Sequence, residues 1–137
     1  MKNISFLCLF IIALLSSCST EVTGPNFYYE ILPVETVTIP EEFAYGETYE
    51  ISLSYLRPSG CHVFNDFYYL SEENQRTVAI VNTVYTDEVC ETFTNEEVEV
   101  SFNFQVNNMS PYVFKFWQGE DENGNDLYYI VEVPVTE

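Results

Sequence analysis

Residues 97–106 alternate without a break. Val98, Val100, Phe102, Phe104 and Val106 share one parity, and Glu97, Glu99, Ser101, Asn103 and Gln105 share the other. On an extended chain successive side chains point to opposite faces, so this run has one dry face and one wet face and fits a sheet packed on a core from one side. A helix, at 3.6 residues per turn, would scatter the same set around its axis. Residues 48–56 repeat the pattern, with Tyr49, Ile51, Leu53 and Tyr55 inward and Glu50, Ser52 and Ser54 outward. The segments 34–39, 62–70, 76–85, 112–118 and 127–135 read as further strands. Breakers separate them: Pro40 and Gly46, Pro58-Ser59-Gly60, Asn107-Asn108, Pro111, and residues 119–126. No stretch carries a helix cap followed by an apolar stripe of helical period. Seven short strands in about 100 residues predict an all-β fold, an immunoglobulin-like β-sandwich of antiparallel strands, with a small β-barrel as the alternative. The length of 137 residues leaves room for one domain, and 47% hydrophobic residues supply its core.

The N-terminus reads as an address. Met1-Lys2-Asn3 gives a short positive region, and residues 4–15 are then an apolar run. A spanning helix needs about 20 apolar residues to cross ~30 Å of hydrocarbon, so this run is too short for a stable anchor and reads as a secretory signal over 1–17. Leu15-Ser16-Ser17-Cys18 follows it. These four residues, in this context, resemble the lipobox of bacterial lipoproteins. The resemblance implies a chain cut before Cys18, acylated on its thiol and held on a membrane by acyl chains worth about 0.8 kcal/mol per buried CH₂. Residues 18–33 would then be the lipidated cysteine and a tether, and 34–137 the domain. Phe27-Tyr28-Tyr29 is unusual for a linker and reads equally as an extra edge strand.

Charge narrows the partners. The chain carries 22 Asp+Glu against 4 Lys+Arg, for a formal charge of −18. Removing residues 1–17 removes Lys2 and no acid, which leaves Arg57, Arg76 and Lys115 as the only strong cations. Nucleic-acid binding needs a cationic surface that releases counterions, so no nucleic-acid partner is expected. Anionic lipid should repel the domain, which would stand off the bilayer on its tether.

Of the four cysteines, Cys8 would leave with the signal and Cys18 would carry lipid. Cys61 and Cys90 remain for a disulfide in an oxidising compartment. Residues 62–70 and 76–85 read as a hairpin turning near 73–75, and the two cysteines are centred on that turn, nearly opposite each other at its open end. No Cys-x-x-Cys spacing supports a redox or metal pair.

The segment Ser110-Pro111-Tyr112-Val113-Phe114-Lys115-Phe116-Trp117 resembles the penultimate strand of many Ig-like bacterial surface domains, in which a tyrosine opens the strand and packs at a corner; Tyr112 would take that place. With the lipobox, the acidic mature chain, Pro-Ser-Gly-Cys-His at 58–62 and Phe-Trp-Gln-Gly-Glu-Asp at 116–121, the whole is similar to small Ig-like lipoproteins of Bacteroidota. That resemblance implies a cell-envelope location, on the outer membrane, and brings no catalytic signature. Only Glu21 follows the lipobox cysteine closely, so a periplasmic and a surface-exposed orientation both stay open.

His62 is the only histidine and stands beside Cys61; no Gly-x-Ser-x-Gly elbow accompanies it, and no catalytic residue is expected. Residues 119–126 are rich in oxygen ligands, which makes Glu120, Asp121, Asn123 and Asp126 calcium candidates, although the order is not that of an EF-hand. The rival reading is a solvated loop with Asn123-Gly124 in its turn; no cofactor is required. Parity gives a more definite expectation. Tyr68, Lys115, Trp117, Tyr128 and Ile130 each share a face with a charged residue that should meet water, so they should form an exposed aromatic patch if the third, sixth and seventh strands lie side by side. Such a patch stacks sugars or docks a protein. The expected function is therefore a non-catalytic, membrane-anchored binding module for a protein or glycan. A structural accessory of an envelope complex is the alternative, and a hydrolase a further one.

Overall fold

Each alternating segment becomes a strand. The computed structural model describes Gly24 and residues 26–137; the expected signal segment 1–17, the expected lipidation site Cys18 and the part of the expected tether through residue 23, with Pro25, lie outside them. In chain order the strands are β1 (Phe27–Leu32), β2 (Thr36–Thr38), β3 (Phe43–Ala44), β4 (Thr48–Ser59), β5 (His62–Glu72), β6 (Gln75–Tyr85), β7 (Thr92–Gln105), β8 (Tyr112–Glu120), β9 (Asp126–Val133) and β10 (Val135–Thr136). Among the described residues there is no helix.

Two sheets face each other. The smaller runs β2–β4–β7 and is antiparallel throughout. The larger contains β1, β5, β6, β8 and β9. A two-stranded parallel piece, β3 with β10, closes one corner. The sheets do not join, so the fold is a β-sandwich and not a closed barrel. Between them lie Ile51, Leu53 and Tyr55 from β4, Phe104 from β7, Val78 and Ile80 from β6, and Tyr112, Phe114 and Phe116 from β8. The aromatic members meet edge to face, as ring quadrupoles favour: Phe104–Tyr112 centroids are 4.9 Å apart at 85° and Phe104–Phe114 5.1 Å apart at 80°. Phe43 is fully buried, and its strand is held by the C-terminus through Phe43 N–H to Pro134 O, 2.9 Å.

Three particulars depart from the pattern read in the sequence. First, residues 27–32 belong to the larger sheet: β1 pairs antiparallel with β6 from Phe27↔Tyr85 to Leu32↔Ile80. The chain then crosses at Pro33 to the smaller sheet, and β8 pins the crossing through Val34 N–H to Trp117 O, 3.0 Å. The domain therefore begins before residue 34, and the aromatic run is a strand. Second, β6 separates β5 from β8. β5 and β6 are joined by Glu73-Asn74, with Glu73 at φ 53°, so the tight hairpin makes them neighbours. β6 then shares its other edge between β1, opposite 80–85, and β8, which pairs parallel to 75–78. Third, the hairpin register shifts between Phe64 and Asp66, and Cys61 O accepts the N–H of Tyr85 at 3.1 Å.

Cys61 and Cys90 are nevertheless bonded, with Cα atoms 5.4 Å apart. The chain leaves β6, turns out and returns, and Gly60 N–H donates to Glu91 O at 2.9 Å. The disulfide thus ties the β4–β5 corner to the lead-in of β7 and links the two sheets. At the far end Tyr112 is fully buried, its hydroxyl donating to Asn107 Oδ1 (2.9 Å) and accepting the Asn107 backbone N–H (3.2 Å). These bonds tie the start of β8 to the turn that precedes it. Replacing Cys61 and Cys90 together by serine should lower the unfolding free energy by roughly 3–4 kcal/mol, from the loop-closure entropy returned to the unfolded chain. Urea unfolding of the two forms measures the difference.

Candidate functional site

The outer face of the larger sheet carries the site. Its floor comes from β6. Inward residues Val78 and Ile80 are fully buried in the core, so Thr77 and Ala79 must point outward, yet they are only 8% and 4% exposed. Larger side chains on the flanking strands cover them. Tyr68 on β5 stands opposite Ala79. On the other side Lys115 of β8 pairs with Thr77 and with Ile130 of β9, and Trp117 pairs with Tyr128. Ile31 of β1 closes one end. Small residues on the central strand and large ones on its neighbours make a groove, with a cavity of about 200 Å³ lined by Ile31, Tyr68, Thr77, Ala79, Trp117, Asp126 and Tyr128.

All five residues expected in the patch lie on this face. Tyr68 and Ile130 are exposed, and Lys115, Trp117 and Tyr128 are half-buried. They do not form a flat surface, because β6 lies between β5 and β8. Ile31 and Asp126 were not anticipated: one was read as tether and the other as a calcium ligand. The parity of 29 and 31 with the exposed face is visible once 27–32 is taken as a strand.

Asp126 organises the wall. Its Oδ1 accepts from Trp117 Nε1 at 2.8 Å and its Oδ2 from the Tyr128 hydroxyl at 3.3 Å. Burial, followed by the charge of Asp126, pushes the Tyr128 phenol up, so its hydroxyl remains a proton donor. Lys115 Nζ lies 4.5 Å from the centre of the Tyr128 ring. This fixes a positive head beside the aromatic wall without neutralising it by a carboxylate. The groove thus offers ring faces, a carboxylate, an ammonium and a threonine hydroxyl.

Within 120–126 the loop's own donors occupy Asp121. Asp121 Oδ1 accepts the N–H groups of Asn123 (2.8 Å) and Asn125 (2.9 Å), and its Oδ2 accepts Asn125 Nδ2 (3.0 Å). Gly124, at φ 79°, makes the turn that aims these donors inward. Asp126 points the other way, into the groove. Among the described residues no three His, Cys, Asp or Glu side chains converge on a metal position. Asp121 is instead the cap of its own turn.

His62 also has partners that the sequence did not disclose. Its Nδ1 is 2.8 Å from Ser59 Oγ and its Nε2 2.8 Å from Glu30 Oε2. The order serine–histidine–carboxylate is that of a hydrolase relay, but Ser59 Oγ also accepts the Cys61 N–H, 3.2 Å away. The three described clefts are lined by other residues. The cluster pins β1 to the β4–β5 corner. Among the described residues no lysine or arginine lies within ion-pair distance of a carboxylate, and His62–Glu30 is the one contact between a basic and an acidic side chain at that distance. The three strong cations lie over aromatic rings: Arg57 over Phe93 at 5.0 Å, Arg76 over Tyr112 at 5.0 Å, and Lys115 over Tyr128.

No protein-family model matches the chain, and no curated protein and no solved structure matches it. The geometry itself defines an all-β sandwich with an aromatic groove on the outer face of its larger sheet.

The Asn125 side chain, followed by the turn N–H groups, holds the Asp121 carboxyl below its ordinary value of 3.8. The turn's ordering is therefore complete above that value and is lost as pH falls through the lower native one. The amide resonances of Asn123 and Asn125 should move together in one titration below pH 3.8. A midpoint at or above that value would deny the cap.

Proposed function

We propose that the protein is a non-catalytic binding module of a bacterial cell envelope that grips a glycan through the groove walled by Tyr68, Trp117 and Tyr128. One observation supports this reading most directly: Trp117 and Tyr128 face solvent over a floor of Thr77 and Ala79, with the Asp126 carboxylate bonded to the polar edges of both rings. Sugar rings present C–H faces that stack on aromatic side chains and hydroxyls that bond carboxylates and ammonium groups. A groove with both features, open to solvent and scarcely larger than one ring, suits such a ligand. A lipid on Cys18 would hold the module on the membrane, and the acidic domain would extend away from it.

A second reading has its own support. Tyr29, Val63, Leu70 and Ile130 extend the same face beyond the groove and are exposed. A broad apolar face of this kind also suits a protein partner in an accessory role.

Trp117 is the only tryptophan, so its fluorescence reports the groove directly. In the full-length protein, solubilised in detergent, a neutral oligosaccharide should shift or quench that emission saturably. Tyr128→Ala should weaken binding by about two- to tenfold, since stacking contributes on the order of 0.5–1.5 kcal/mol beyond buried area. Emission that stays unchanged across a panel of neutral and amino sugars would overturn the glycan reading and leave the protein-docking one. The anchor is tested separately. Cys18→Ser should move the protein out of the membrane fraction, and a variant that still sediments with envelopes would refute lipid attachment at that thiol.

A further inference from the structure

A larger cleft, of about 550 Å³, opens on the long side of the sandwich between β5 and β7, each of which is an edge strand there. Phe67 and Tyr69 of β5 meet Phe102 of β7 across it, with centroids 5.2 and 6.0 Å apart. Arg76 lines it from β6. Arg76 holds an inward register position, in phase with Val78 and Ile80, and is only 7% exposed. Burying a guanidinium is costly unless its donors are met. Its Nη1 donates to Glu73 O and Gln75 O, both at 2.8 Å, and its plane lies over Tyr112. Both bonds use one nitrogen of three. The donors on Nε and Nη2 are left for the neighbouring Tyr69 phenol and for whatever enters the cleft. Among the described residues no carboxylate forms an ion pair with this cation.

The rest of the lining is polar. Ser71 stands directly across from Arg76, and Asn103, Gln105 and Asn107 edge the β7 side. Asp66 is the one acid in the lining, and its Oδ1 accepts the Phe67 N–H at 2.8 Å.

We propose that this cleft is a second binding site, separate from the outer groove, and that it takes a sugar acid whose carboxylate pairs with Arg76. A planar guanidinium matches a carboxylate through paired N–H bonds. The hydroxyl of Ser71, the carboxamides and the Asp66 carboxylate match ring hydroxyls, and Phe102 and Tyr69 provide ring faces. An aliphatic anion would satisfy Arg76 alone, and a neutral sugar would leave it unmet.

Calorimetric titration of the full-length Trp117→Ala protein in detergent, with the outer groove disabled, against sodium glucuronate, glucose and sodium acetate tests the assignment. Glucuronate should bind in the millimolar range or tighter, and glucose and acetate at least about tenfold more weakly, because each lacks one half of the recognition. Arg76→Gln should weaken glucuronate at least about tenfold. Arg76 also supports the core, so Ser71→Leu gives an independent arm: it fills the cleft from an exposed position and should abolish binding with melting unchanged. Restoring Trp117 should leave the glucuronate affinity unchanged, which separates this site from the outer groove. Equal binding of acetate and glucuronate, stronger binding of a dipeptide carboxylate than of glucuronate, or glucuronate binding that survives Ser71→Leu would each overturn the proposal.

Discussion

The larger sheet depends on β6. Among the described residues it is the only strand with neighbours along both edges for most of its length, with β5 on one side and β1 and β8 dividing the other. Its inward row is Arg76, Val78, Ile80, Asn82 and Val84: an apolar middle with a polar residue towards each end. The middle seals the core. Arg76 opens towards the cleft at one end, and at the other the buried Tyr55 hydroxyl donates to Asn82 Oδ1 at 3.1 Å. That burial pushes the Tyr55 phenol up, so it stays a donor. The outward row is as important. Thr77 and Ala79 are small, and the aromatic residues of the flanking strands can only form a groove because nothing large rises between them. One strand's side-chain sizes and polarities therefore shape both concave surfaces.

The exposed edges of the sandwich carry charge that opposes pairing. Among the described residues β5 and β7 each lack a partner along one edge, and bare edges invite pairing with another chain. β7 carries Glu96, Glu97 and Glu99, all exposed, along its first half. A second copy brought edge to edge would align like charges. The disulfide adds a covalent constraint at that end by fixing where β7 begins relative to the β4–β5 corner.

Much of this was legible in the sequence because strand period and side-chain parity are local properties. The alternation of 97–106 placed Phe104 inward, and parity placed Tyr68, Lys115, Trp117, Tyr128 and Ile130 on one outer face. Strand order is not local. Nothing in residues 62–85 says which edge of β6 receives β8, so the expected adjacency of the third and sixth strands failed while the shared face survived. The one-residue shift near Asn65 is likewise invisible in pattern alone, and it moved Cys61 opposite Tyr85 without preventing the disulfide. Arg76 was overlooked because a charged residue at a strand end reads as solvent-facing. Its parity with Val78 and Ile80 was the available signal. Asp121 and Asp126 sat in an acidic loop that composition alone reads as one cluster, but the turn at Gly124 sends them to different tasks.

The pairing of Arg57, Arg76 and Lys115 with aromatic rings, in place of carboxylates, has a consequence for behaviour in brine. Cation–ring contacts at 4.5–5.0 Å depend on desolvated short-range attraction that mobile ions screen weakly. Repulsion among the 22 acids acts across exposed surface, where a Debye length of about 8 Å at physiological ionic strength cuts it strongly. Raising the ionic strength therefore removes a cost of folding and takes away little that holds the fold together, so this acidic sandwich grows sturdier as its surroundings become saltier.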